Sequence, residues 1–191
     1  SSIGQNIPMG GWRIHLPYNA VFSITESPER LFIGAERGFY SFHKKSGEIE
    51  LYSKVNGFSD VEVSKVSYHK EMDLLFIAYE NTNIDILKSD GVIVNISAIK
   101  RESILGIKKI NDIHFEGKLA YLSCSFGIVV VDLEKNEIKD NYLNIGPSAT
   151  QINIESVAFH QDHIYAATNF GVMRAHQDDR DSWQDFNKWS F

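Results

Sequence analysis

A chain of 191 residues with 43% hydrophobic and 23% charged residues has ordinary globular usage, which excludes wholesale disorder and collagen-like repetition. Nineteen Lys and Arg against 25 Asp and Glu leave a formal charge of −6, which argues against a general nucleic-acid binder. No apolar run reaches the roughly 18 residues of a membrane-spanning helix, and the one cysteine, Cys124, has no partner for an intramolecular disulfide.

In chain order the first element is Trp12-Arg13-Ile14-His15-Leu16, whose residues alternate as in a half-buried strand. A repeat follows. Leu31-Phe32-Ile33-Gly34-Ala35 precedes Gly38-Phe39-Tyr40, and Leu75-Phe76-Ile77-Ala78-Tyr79 precedes Asn83-Ile84-Asp85. Ala120-Tyr121-Leu122-Ser123-Cys124 precedes Gly127-Ile128-Val129, and Ile164-Tyr165-Ala166-Ala167-Thr168 precedes Gly171-Val172-Met173. The blocks step by 44, 45 and 44 residues, and a second marker, Ile24, Tyr68, Ile113 and Val157, keeps the same steps. Two markers in step identify an internal repeat.

The units run approximately over 21–53, 63–96, 110–142 and 154–187, and each reads as four short strands. In the third these are 110–114, 119–123, 127–133 and 137–142, separated by turn signals such as Glu116-Gly117-Lys118. The column Gly38, Asn83, Gly127 and Gly171 holds residue types that tolerate positive φ, so a left-handed residue is expected to open each third strand. Gly34, Ala78, Ser123 and Ala167 are small and would let neighbouring sheets approach closely. Residues 97–109 are the exception to the strand pattern, with room for a helical turn in a long connection.

Four-stranded units of this period are the signature of β-propeller blades, so the fold class is all-β. In the last unit 183–186 is the candidate fourth strand, and Asp178-Asp179-Arg180-Asp181 reads as a solvated hairpin turn. The strand at 12–16 then has no blade to complete. With the start at Ser1-Ser2 rather than Met, this makes the chain an expected N-terminal part of a longer, larger propeller. On its own, open blade edges would pair with a second copy.

Signatures of catalysis are sparse. There is no Gly-rich phosphate loop, nucleophile elbow or zinc-protease motif. His160-Gln161-Asp162-His163 is metal-like, but turn chemistry accounts for Asp162 and a closed zinc site needs four ligands. Cys124 reads as a small buried hydrophobe. Asp112 and Glu155, with His114 nearby, fall on innermost strands, where carboxylates either serve a hydrolase or simply face a wet channel; the second reading is preferred. No enzyme activity, cofactor or metal is expected.

A binding face is the better expectation. The loops joining second to third strands share one side of a propeller, and they carry Arg37, Tyr79, Asn81, Phe126, Asn169 and Phe170. Aromatic side chains interleaved with Asn and Arg suit a sugar or a peptide, through stacking and paired hydrogen bonds. The competing reading packs Phe126 and Phe170 between blades. Lys100-Arg101 and Lys108-Lys109 add a basic tract that either meets an anionic glycan or is simply solvated. Asn95-Ile96-Ser97 matches a glycosylation sequon, a weak signal.

Asn56-Gly57-Phe58-Ser59-Asp60 followed by 63–68 resembles the start of a blade in the regulator-type propeller repeats of Bacteroidetes two-component sensors. The stretches 78–86, 120–123 with 126–130, and 166–171 are more similar to the N-terminal propeller of PorZ-like components of the type IX secretion system. The resemblance spans roughly residues 12–189 and implies a cell-surface or periplasmic protein with tandem seven-bladed propellers and a C-terminal sorting domain. It also implies a role in attaching anionic lipopolysaccharide to secreted cargo, with secretion-complex proteins or an anionic glycan as partners. The alternative is the periplasmic sensor propeller of a hybrid histidine kinase, with a saccharide ligand.

Overall fold

The structure is a computed structural model that describes residues 20–35 and 38–191; the expected strand at 12–16 and candidate residue Arg37 lie outside the described residues. Four antiparallel sheets follow one another along the chain, each a meander in sequence order. The first comprises β1 (Val21–Glu26), β2 (Arg30–Ala35), β3 (Gly38–His43) and β4 (Ile49–Tyr52). The second comprises β5 (Val63–His69), β6 (Leu74–Tyr79), β7 (Ile84–Lys88) and β8 (Ile93–Ile96). A single helical turn, α1 (Ala98–Arg101), interrupts the connection to the third sheet, β9 (Ile110–Glu116), β10 (Leu119–Cys124), β11 (Gly127–Asp132) and β12 (Glu137–Tyr142). The last sheet holds β13 (Ile154–His160), β14 (His163–Thr168) and β15 (Gly171–His176).

The central strands read as continuous apolar runs because both of their faces are covered. All six residues of β6 are buried: Leu75, Ile77 and Tyr79 enter the core shared with the first sheet, and Leu74, Phe76 and Ala78 the core shared with the third. A third core, between the third and fourth sheets, gathers Tyr121, Ile128, Val130, Ile164 and Met173. The innermost strands are stitched to one another across sheets. Ser23 Oγ accepts from the Val66 amide at 2.9 Å, Thr25 Oγ1 from the Tyr68 amide at 3.0 Å, and Asn111 Nδ2 donates to the Ile154 carbonyl at 2.7 Å. Each innermost strand also carries a bulge near its start, which bends it around the axis. At Gly34 an added Cβ would lie 3.2 Å from Val63, so the small-residue column does permit close approach of the first two sheets.

The structure corrects four expectations. The fourth sheet has three strands among the described residues. The stretch 183–186, expected as a fourth strand, is turn leading into a 3-10 helix at Phe186–Lys188, and residues 177–182 form a 3-10 helix, so the acidic run at Asp178 is helical rather than a hairpin turn. Trp183 and Trp189 fill the outer edge instead: Trp183 Nε1 donates to the His176 carbonyl and Trp189 Nε1 to the Trp183 carbonyl, both at 2.9 Å. In the second unit Val66, not Tyr68, takes the place of Ile24, because Val66 pairs with Ile77 as Ile24 pairs with Ile33 while the β5–β6 hairpin is longer. The left-handed residue of that unit is Thr82 (φ 62) rather than Asn83, whereas Gly127 and Gly171 both have φ 132.

Gly127 and Gly171 share a conformation but not a setting. A Cβ on Gly127 would meet the Tyr142 carbonyl oxygen at 2.2 Å, while one on Gly171 would meet nothing nearer than Phe191 at 3.7 Å. Gly171→Ala is expected to lose about 1–3 kcal/mol to backbone strain. Gly127→Ala is expected to exceed that by at least about 1 kcal/mol, since backbone must move. Urea unfolding of the two variants checks the order.

Candidate functional site

Antiparallel meanders put the first-to-second and third-to-fourth turns of every blade on one rim. The Lys44 amide bonds the Glu29 carbonyl, Leu133 bonds Lys118, and Gln177 bonds Asp162. The second-to-third turns share the opposite rim with the inter-blade connections, as the Glu80 to Glu62 and Ser125 to Lys109 backbone bonds show.

On the first rim, a cleft of about 790 Å³ opens between the first two blades. Its apolar lining comes from Phe32, Tyr52, Phe58, Tyr68, Leu75 and Ile93, and its polar lining includes Arg30, Glu50, Asp73 and Lys88. The aromatic wall exists because Phe58 inserts between the sheets, edge-on to Phe39 at 5.6 Å and tilted against Tyr52 at 5.2 Å. Arg30 Nη1 donates to Ser41 Oγ at 2.7 Å and lies 2.8 Å from Glu50 Oε2, and Ser41 Oγ bonds the Tyr52 hydroxyl at 2.9 Å. Tyr68 donates to Asp73 Oδ1 at 2.6 Å; burial and the adjacent carboxylate push its phenol up to about 12. Lys88 has no side-chain partner among the described residues. A shallower depression of about 200 Å³ shares Tyr68 and reaches Phe115 and Gly117. Aromatic faces beside fixed donors and acceptors can stack on a sugar or peptide and orient it by hydrogen bonds.

The loop that carries Phe58 is clamped by two carboxyl groups. Asp85, fully buried on β7, accepts from the Ser59 amide and hydroxyl and from the Tyr79 hydroxyl, each at 2.7 Å, and from Asn95 Nδ2 at 2.9 Å. Asp60 accepts from Asn81 at 2.7 Å, Asn83 at 3.1 Å and Lys100 at 2.9 Å, with Lys54 at 3.3 Å. Burial pushes the Asp60 carboxyl up, but hydrogen bonds from Asn81, Lys100, Asn83 and Lys54 outweigh it and hold the group well below the usual carboxylate range.

Of the residues singled out in the sequence, the five that are described have separate fates. Tyr79 is interior, its hydroxyl spent on Asp85, and burial raises its pKa further. Phe126 is buried in the core between the second and third blades. Asn81 is engaged with Asp60. Asn169 and Phe170 are exposed, Phe170 at 71%, on a turn braced by the bond from the Phe170 amide to Thr168 Oγ1. The cleft was missed because its walls come from two units and the connection between them, and because within the first unit only strand pairing brings Arg30 to Ser41 and Tyr52.

The other candidates have structural partners. Asp112 pairs with Lys65 at 2.8 Å, Glu155 accepts from Asn153, and His114 stacks on Phe159 at 5.4 Å. Cys124 is buried, which pushes its thiol up, away from nucleophile range. Asn95, the sequon residue, gives its side-chain amide to Asn83, Ile84 and Asp85. Among the described residues no three His, Cys, Asp or Glu side chains are grouped to hold a metal, and no helix is long and apolar enough to cross a membrane.

Successive antiparallel sheets stitched at their inner strands define a β-propeller repeat protein. The chain belongs to the family described as TSS9, PorZ, N-terminal beta-propeller domain, which it matches over residues 31–190. It is similar to the solved structure of PorZ, a bacterial surface component of the type IX secretion system of Porphyromonas gingivalis. Identity is 26% and the TM-score 0.78, over 90% of this chain and 22% of that one. The chain therefore spans about a fifth of that structure. The extracellular domain of a putative hybrid two component system from B. thetaiotaomicron shares the fold at 14% identity and TM-score 0.66, over 82% of this chain and 21% of that one. A computationally designed protein, Ika4, shares it at 12% identity and TM-score 0.61, over 91% of this chain and 99% of that one. No curated protein sequence matches the chain.

Asp60 gives a pH signature. A carboxyl held down in the folded state contributes stability above its unfolded value of about 4, and that contribution drains away as pH falls below it. Asp60→Asn is expected to lower the urea midpoint at neutral pH and to flatten the acid limb of stability against pH.

Proposed function

We propose that this domain is a non-enzymatic binding module of a cell-envelope secretion component, and that the cleft between the first two blades holds an anionic saccharide. The observation that carries the reading is the aromatic wall, Tyr52 and Tyr68, beside the ammonium of Lys88, which has no side-chain partner among the described residues, whereas Arg30 is already paired with Glu50. Stacking supplies affinity for the sugar ring, and Lys88 supplies the cation for an acidic substituent. Family membership and the surface location stated for the P. gingivalis protein support the cell envelope as the setting. The resemblance read from the sequence adds a part in joining anionic lipopolysaccharide to secreted cargo, with protein partners of the secretion complex. The sensor-domain likeness is one of fold at 14% identity and does not favour a signalling role.

Titration calorimetry with purified anionic lipopolysaccharide glycan and a neutral glycan of equal length tests the proposal. The anionic glycan is expected to bind selectively. Tyr68→Ala and Lys88→Ala are each expected to weaken it about tenfold, the effect of losing one stacking or charge-assisted contact. Equal binding of both glycans, or parental affinity in both variants, overturns the assignment.

A further inference from the structure

We propose that the rim opposite the cleft docks on an anionic lipid surface through the 97–109 connection. The argument starts from two aliphatic side chains in an unusual position. Ile99 is buried and Ile104 packs on the core between the second and third blades, yet Leu105 and Ile107 are 90% and 85% exposed. Their exposure is built in. Lys108 Nζ donates to the carbonyls of Ile99, Lys100 and Glu102 at 3.1, 2.8 and 2.9 Å, closing the segment on itself. Ser125 Oγ donates to the Ile107 carbonyl at 2.6 Å and accepts from the Lys109 amide at 3.0 Å. Two tips are thus held outward by bonds that anchor the chain on both sides of them.

The surroundings specify the partner. The segment carries four cations against one carboxylate, Glu102, in a chain whose net formal charge is −6. Arg101 and Lys109 are exposed and without side-chain partners among the described residues. Lys100 ties this segment, through Asp60, to the preceding connection. Isolated aliphatic tips offer a sugar no stacking face, and they project from turns rather than forming the flat patch that a protein interface needs. Apolar tips on a connection that also carries the unpartnered cations Arg101 and Lys109 match the boundary between acyl chains and phosphate headgroups, where each kind of group meets its preferred surroundings.

Sedimentation of the full chain of 191 residues with vesicles tests this, using phosphatidylcholine alone and phosphatidylcholine mixed with phosphatidylglycerol. The mixed vesicles are expected to carry the protein down and the neutral ones much less. Leu105→Asp with Ile107→Asp is expected to lower partition about tenfold or more, with the melting temperature unchanged because neither side chain is buried. A Leu105→Cys variant bearing an environment-sensitive dye is expected to brighten on mixed vesicles, and buried Cys124 leaves that site alone reactive. Failure of the parent to sediment with mixed vesicles overturns the proposal, as does parental binding by the double aspartate variant. A dye that stays in water while Arg101→Gln with Lys109→Gln abolishes binding also overturns it, leaving surface adsorption alone. Self-association of the parent that the aspartates abolish, without vesicle binding, assigns the tips to a second copy instead. Glycan binding in the cleft is read separately by calorimetry, so either assignment can fail without the other.

Discussion

The two faces of β6 set the architecture. A strand whose alternate residues are all apolar must be covered twice, and Leu74 to Tyr79 leave no face for water. The second sheet therefore exists only as the filling between the first and third, and β10 makes the same demand: Ala120 and Leu122 turn to the second sheet and Tyr121 to the fourth. Stability in such a stack resides in the interfaces, as in other repeat arrays, and each added blade completes the burial of the one before it.

Hydrophobic stacking sets the order of blades but leaves their angle free, and polar bonds supply that angle. At the first interface Asp85 and Asp60 hold the loop of Phe58, and Phe58 wedges the outer parts of the first two sheets apart. The cleft is the space that remains on the rim side of the wedge. Replacing the Asp85 carboxyl would leave the buried Tyr79 hydroxyl without its acceptor, which costs more than the bond itself contributes, and would free the Ser59 end of the loop. The clamp that shapes the cleft and the fold that carries it therefore stand or fall together.

The repeat was legible because it is written in the residues that face two cores, and those are the least free to vary in character. The side-chain fates at its turns were not. Phe126 and Phe170 occupy the same column, yet one is buried and the other 71% exposed. Their local sequences are alike; the difference lies in residues 97–109, which send Ile99 and Ile104 into the core that also takes Phe126. The final unit failed as a four-stranded reading for a related reason. The stretch 183–186 does not pair as a strand among the described residues; Trp183 instead packs edge-on to Tyr142 at 5.5 Å and against Trp189 at 5.7 Å. Arg30 and Tyr52 could be placed beside one cleft only when the register was known.

The antiparallel meander has a consequence for how one domain serves two surfaces. Turns within a blade are confined to one rim or the other, although the first inter-blade connection also reaches the cleft through Asn56 and Phe58. Arg30, Asp73 and Lys88 gather on one side, and Leu105 and Ile107 lie on the inter-blade connection of the other. The chain carries a negative balance overall, yet its longest inter-blade connection holds four of the 19 cations. Such concentration on the rim away from the cleft means that contact with an acidic surface would leave the cleft facing outward, open to a soluble ligand. A propeller obtains this polarity from topology alone, because the strands between the rims are consumed by burial and only the turns remain free to carry function.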